Sequence, residues 1–422
     1  MNHANVKFSL PFGWKEKLLD EVAERFSGHT PDKNVSEFWN GNIPWVSLKD
    51  TQRLDSLYIK ETEDYTTREG IAHSSAIILP QGTVVISRDA TIGKVGIMNE
   101  PMATSQHFIN YVCTKDLDKF FLYYFLLSQR KNFERVANGS TIKTIGLKYF
   151  EKLNITLPPI DEQRYIADVL LTWDRALELK EKLLEQKRLQ KKGLMERLLT
   201  GKVRLPGFSG EWEKIKLSTI FDRVTRRNAG GNSNVLTISA KKGLVSQSDY
   251  FNRSVASETL DNYILLQKGE FAYNKSYSNG YPMGAIKRLN DYSEGVVTTL
   301  YICFKLKDNA HDSNFFEHYF AAGLLNKALM KITQEGARVH GLLNIAVSDF
   351  FAITICIPQN LEQEAIAEIL SQSDKVIRNL EQEVIQIRQH KKGLMQLLLT
   401  GKVRVPAKGE MLSCQKQKNI TN

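Results

Sequence analysis

The side chains equipped to bind or react fall into short polar runs between longer apolar stretches. In the first part of the chain they are Ser87, Arg88, Thr91 and Lys94, then Ser105, Gln106 and His107, then Ser140, Thr141 and Lys143. Further on come Asn274, Lys275, Tyr277 and Asn279, then Thr298 and Thr299, then Arg338 and His340. Arg, Lys, Asn, Gln, Ser and Thr carry donors and acceptors that match base edges in a nucleic-acid groove; in isolation they also make ordinary solvated turns. Their placement favours the first use. In each half one run follows the turn at Gly82 or Gly269, and another stands just ahead of the last helix and strand. These residues are the candidate groove contacts.

Catalytic signatures are absent from the sequence. It contains no G-x-x-x-x-G-K-[ST] phosphate loop, no G-x-G-x-x-G opening a helix, no H-E-x-x-H and no G-x-S-x-G. The Asn/Asp-Pro-Pro-aromatic motif of amino-methyltransferases is missing as well. Eight histidines are scattered without a pair at ligand spacing, and four cysteines without a C-x-x-C, so neither a metal centre nor a disulfide framework is expected. Asp161-Glu162 resembles a carboxylate pair but sits where acids answer a helix dipole. No catalytic residue, metal or cofactor is assigned to this chain.

The elements that position the polar runs follow from a repeat. Residues 157–206 and 357–406 align without a gap at an offset of 200, with 23 of 50 positions identical. Pro158/Pro358, Glu162/Glu362, Gln163/Gln363, Asp174/Asp374 and the K-K-G-L-M and L-L-T-G-K-V-R segments recur. Each copy predicts one long helix, with proline and acids at its start and Gly201 or Gly401 as its stop; Gly193 and Gly393 are its weak points. Stepping by four and three from Ile166 or Ile366 finds apolar residues at seven and eight of ten positions, a heptad seam that predicts a two-helix coiled coil. Some 37 helical residues span roughly 55 Å, a stiff spacer.

The repeat leaves two blocks, 1–156 and 207–356, with first and second spacer helices at 157–206 and 357–408 and a polar tail, 409–422, expected to be disordered. Trp14-x4-Leu19 and Trp212-x4-Leu217 open the blocks alike. In the first, residues 43–48, 76–87 and 107–113 read as strands, 117–136 as helix and 154–159 as a last strand; in the second the matching segments are 235–239, 263–274, 296–306, 314–332 and 352–358. Each block is therefore a mixed α+β domain whose last strand runs into a long helix.

Charge and length constrain partners. The 422 residues exceed one ordinary domain, and their 42% hydrophobic and 25% charged composition is globular. The formal charge is +10, of which the first block holds +1 and the second +3. The helices concentrate theirs at their C-terminal ends, including Lys191, Lys192, Lys202 and Arg204, and Lys391, Lys392, Lys402 and Arg404. Dipole complementarity explains some of this; recurrence of the side chains themselves points to docking of a partner, with Glu162, Gln163, Glu362 and Gln363 in the same set. The longest apolar run, Phe120–Leu127, is too short to cross a bilayer, and the N-terminus lacks a secretory layout, so no membrane association and a cytoplasmic location are expected.

The tandem layout, with P-x-x-x-E-Q-x-x-I-A-x-x-L beginning each long helix and K-K-G-L-M-x-x-L-L-T-G-K-V-R ending it, resembles the specificity subunit of type I restriction-modification systems. I-P-W-V-S-L, T-I-G-K-V and G-S-T-I-K-T-I in the first block add to the likeness; in the second these become Y-P-M-G-A-I and G-A-R-V-H-G-L for the last two. The resemblance implies an α+β fold of two mixed α/β target-recognition domains separated by a long antiparallel two-helix coiled coil with a pseudo-two-fold internal repeat. It implies a non-catalytic subunit in which each domain reads one half of a bipartite, asymmetric site on double-stranded DNA. Two DNA adenine methyltransferase subunits and restriction-translocase subunits are the implied partners, and AdoMet, ATP and Mg belong to them. Two rival readings are a coiled-coil scaffold joining two protein-interaction modules without touching DNA, and a self-contained enzyme such as a nuclease.

Overall fold

The computed structural model describes residues 10–239, 243–248, 260–277, 280–333, 338–339 and 342–405; the tail 409–422 lies outside them. By packing, the chain divides into two compact units, Met1–Lys180 with Glu383–Asn422, and Glu181–Gln382. The division passes through both long helices, Ile160–Leu198 and Asn360–Leu399, so each unit takes the start of one and the end of the other.

In the first unit a five-stranded sheet runs in the order Ala23–Ser27, Phe108–Cys113, Val84–Ser87, Val95–Met98 and Tyr58–Ile59. All its neighbours are antiparallel except the last pair. Val84–Ser87 is buried throughout, which is why it reads as a continuous apolar run rather than an alternating one. Expected strand 76–87 is shorter than its apolar pattern, since Ile77 and Ile78 are exposed and outside it. Helix Lys119–Ser128 covers the sheet, its start capped by Asp118 Oδ1 accepting from the amides of Phe120 and Phe121 at 2.9 and 3.1 Å. The segment Lys15–Leu18 forms a strand antiparallel to Asn154–Leu157, the strand that leads into the first long helix.

The second unit repeats this frame. Its sheet runs Phe221–Arg223, Ile302–Leu306, Phe271–Asn274 and Ala285–Arg288, all antiparallel, and Glu213–Lys216 pairs with Thr354–Ile357. The register pairs Phe271 with Phe304 as Val84 pairs with Tyr111 in the first unit. Phe271 and Phe304 stack at 5.4 Å, with Phe221 and Phe320 edge-on around them. Each expected single helix is two pieces: Lys119–Ser128 and Arg130–Val136 meet at Gln129, and Ser313–Ala321 and Asn326–Ile332 are parted by Gly323 at φ +69°.

The long helices pair antiparallel within each unit, as their contacts run up one helix and down the other. In the first, Glu162, Asp174 and Lys180 meet Arg404, Lys391 and Glu383; in the second, Arg188, Lys191 and Arg204 meet Glu381, Asp374 and Glu362. Ile166, Leu170, Leu398 and Leu399 enter the core of the first unit, and Leu198, Leu199, Ile366 and Leu370 that of the second. Gly193 and Gly393 stay helical with open space where a Cβ would be, whereas Gly201 and Gly401 lie at φ +67°. A Cβ at Gly201 would press Trp212 at 3.3 Å, and one at Gly401 would overlap Pro11. Gly193→Ala and Gly393→Ala are therefore expected to stabilise by about 0.5–1 kcal/mol. Gly201→Ala is expected to destabilise by about 1–2 kcal/mol, the cost of a left-handed residue. Gly401→Ala should cost more, and urea unfolding followed by circular dichroism ranks the four.

Candidate nucleic-acid interface

Most of the residues expected at a partner-docking surface make contacts inside the chain. Arg404 grips Glu162 through two hydrogen bonds of 2.7 and 2.9 Å and donates to the Phe12 carbonyl at 3.0 Å, while Trp14 Nε1 donates to the same carboxylate at 3.2 Å. Arg204 grips Glu362 at 2.7 Å through both bonds and donates to the Gly210 carbonyl at 2.6 Å. Each clamp joins the start of one repeat to the end of the other. These carboxylates hold both arginines above the usual guanidinium range. Gln163 donates to the carbonyls of Asp116 and Pro158 and accepts from the Asp118 amide; Gln363 does the same for Pro358 and Asp312. Lys191 bonds Asp374 at 2.5 Å, and Lys391 bonds Asp174, which also accepts from Tyr124 Oη at 2.6 Å. Lys192, Lys202, Lys392 and Lys402 are exposed.

In the first unit three polar runs far apart in sequence converge. The Arg88 amide donates to the His107 carbonyl at 3.0 Å, the Ile145 amide to the Arg88 carbonyl at 3.0 Å, and the Ala90 amide to the Lys143 carbonyl at 3.1 Å. Asn138 and Thr144 bond reciprocally through their backbones, so Ser140, Thr141 and Lys143 stand exposed on the intervening loop, with Ile142 61% exposed. Thr91 is exposed, and Gln106 accepts from Thr30 Oγ1 at 2.5 Å at the surface. Ser87 instead is fully buried and bonds the Thr91 carbonyl, and Lys94 pairs with Asp55 at 2.7 Å, so these two brace the turn. Ser105 is buried. Beside it lies a cleft of 210 Å³ whose walls include Thr30, Lys33, Trp45, Lys49 and His107.

The second unit brings two of its runs together in the same way. The Leu343 amide donates to the Lys275 carbonyl at 3.0 Å, the counterpart of Ile145 on Arg88. Arg338 pairs by backbone with Leu343 across a short hairpin. Asn274 caps the Ser276 amide at 2.9 Å, and Tyr277 is exposed. Thr298 turns the chain into strand Ile302–Leu306, and Thr299 is exposed. Asn279 and His340 lie outside the described residues.

Two stretches, residues 11–186 and 210–389, match the family model described as the type I restriction modification DNA specificity domain. The chain belongs to this family. It is 30% identical over 175 residues to the type I restriction enzyme MjaIX specificity subunit of Methanocaldococcus jannaschii, covering 41% of this chain and 40% of that relative. With the MjaVIII specificity subunit of the same organism it shares 25% identity over 422 residues, 94% of each chain. The crystal structure of a type I restriction-modification S subunit from M. genitalium has the same fold, with a TM-score of 0.55 at 17% identity over 93% of this chain and 98% of that one.

In this specificity-domain chain the sequence pattern left Asp89, Asp174, Asp374 and His318 unassigned. Asp174 and Asp374 were legible as repeat identities, and Asp89 stands inside the polar run 87–94 without being singled out there; nothing in the sequence marks His318. Among the described residues no group of three metal-binding side chains occurs, and no helix is long and apolar enough to cross a membrane. His318 accepts or donates at Ser371 Oγ, 3.2 Å away, and lies 3.8 Å from Asp374. Burial pushes it down to about 4, with Lys191 and Arg288 adding to the shift against Asp374 and Asp312. It is neutral in the fold, whereas an unfolded histidine takes up a proton near pH 6.5. Stability of the second unit should thus be full above about pH 6.5 and fall towards pH 4, as the unfolded state binds the extra proton. His318→Gln should flatten that fall, measured by urea midpoints across the pH range.

Proposed function

We propose that this chain is the DNA-recognition subunit of a type I restriction-modification complex, each mixed block reading one half of a bipartite, asymmetric site on double-stranded DNA. The observation that carries this reading is the convergence of separated polar runs at equivalent places in two units of a specificity-domain chain. Backbone bonds hold the loops, on which exposed Thr91, Gln106, Ser140, Thr141, Lys143, Tyr277 and Thr299 are the groove contacts in this reading. The paired helices set the number of unread base pairs between the half-sites.

The chain is non-catalytic in this reading. Methylation and cleavage reside in two DNA adenine methyltransferase subunits and in restriction-translocase subunits, which bring AdoMet, ATP and Mg, in the cytoplasm where the DNA is. Lys192, Lys202 and Lys392, exposed at the repeated helix ends, are the docking residues in this reading, with Lys402 exposed beside them. A charge of +1 in the first block and +3 in the second supports few phosphate contacts. Tight binding therefore needs the methyltransferase subunits closed around the duplex.

Co-expression with the methyltransferase subunit in a methylation-free host, followed by long-read mapping of modified adenines, should return a split motif with a fixed gap. A soluble complex that yields no motif and binds duplex DNA without salt dependence would replace this reading with the protein-scaffold one.

A further inference from the structure

Asp89 stands at the centre of the first unit's polar patch. Its Oδ2 lies 2.8 Å from His107 Nδ1, and its Oδ1 faces Arg88 Nε across 3.6 Å. A carboxylate only accepts, so His107 donates from Nδ1 and turns Nε2 away from Asp89. Asp89 Oδ1 and Arg88 Nε are both buried without a hydrogen bond, so a small closure would pair them; Ser105 Oγ on the adjoining loop is buried and unpaired too. Asp89 is 12% exposed, but Arg88 and His107 keep 16% and 34% of their side chains at the surface. Among the described residues no protein group bonds the two terminal nitrogens of Arg88. The next residue, Ala90, is held at φ +59°, fixing the backbone that carries the pair.

We propose that Asp89 preassembles Arg88 as the reader of a guanine in one half of the DNA site, with His107 held on the other side of the same carboxylate. An arginine whose Nε–H closes onto a neighbouring carboxylate keeps its two terminal nitrogens free and side by side, the geometry that matches guanine O6 and N7 in the major groove. Anchoring also removes the rotamer entropy that a free arginine would lose on binding. Asp89 is a positioning residue. The second unit carries Lys275 and Ser276 at the matching register, so this device belongs to one half of the site. The inference rests on the DNA-recognition reading above and adds to it the base and the residues that read it.

The test uses the full complex with its methyltransferase subunits and compares the methylation motifs of wild type, Arg88→Ala, Arg88→Lys and Asp89→Asn. Expected is a motif in which a single guanine of one half becomes degenerate in all three variants, while every other position of both halves is kept. Lysine keeps the charge but not the fork, so Arg88→Lys should relax the same position and keep binding elsewhere. With the wild-type complex, replacing that guanine by 7-deazaguanine in a duplex probe should weaken binding by about tenfold to a hundredfold; with Arg88→Ala the same replacement should change nothing. An unchanged motif from assembled Arg88→Ala and Arg88→Lys complexes overturns the proposal and leaves the DNA-recognition reading standing. So does a uniform loss of the whole half-site in Asp89→Asn with no position singled out, which is what a merely structural role gives. A wild-type complex that yields no motif overturns the reading beneath it instead.

Discussion

Everything in this protein depends on a carboxylate–guanidinium clamp made twice. Glu162 and Glu362 each stand in the first turn of a long helix, 10% and 3% exposed at the side chain. A carboxylate so placed is costly unless a cation meets it with good geometry. The arginine that does so comes from the far end of the other repeat, 242 or 158 residues away. The first unit therefore closes only when its two separate segments meet, and the second only when the two ends of its single stretch do. The start of one helix must meet the end of the other, and the heptad seam then aligns its apolar residues as a consequence. Gly401 and Gly201 serve the same junction: a left-handed residue without a side chain lets the chain turn against Pro11 and Trp14 in one unit and against Trp212 in the other.

The clamp also changes what the basic helix ends mean. Arginines and lysines near a helix C-terminus suit the dipole, but here Arg204, Arg404, Lys191 and Lys391 face carboxylates of the antiparallel helix. These four cations are thus paired within the fold and are not free to meet a phosphate. A protein of this charge has little free field with which to hold a phosphate backbone, and its discrimination has to come from short-range donors and acceptors.

Those donors sit on a shared frame with different fittings. In both units the end of a central strand is bonded through one backbone carbonyl, Arg88 or Lys275, to a segment that follows the covering helices. The frame sets where the loops stand. The side chains then differ: an aspartate bracketed by arginine and histidine in the first, a lysine and a serine in the second. Two units alike in backbone can in this way present unlike edges to a ligand.

The sequence by itself determined the repeat, the long helices, their seam, the mixed character of each block and the neighbourhoods of the polar runs. These are properties of local pattern: period, caps and turn residues act within a few positions. Tertiary structure decided which polar residues face outward. Ser87 and Lys94 belong to the same run as Arg88 and Thr91, yet they are consumed by a turn and by Asp55. Glu162, Gln163 and Arg204 carry docking chemistry in the sequence and spend it on the chain itself. A hydrogen-bonding group has the same letter whether its partner is internal or external. Only the folding of distant segments onto one another, such as residues 88, 107 and 145, determines which partner it finds.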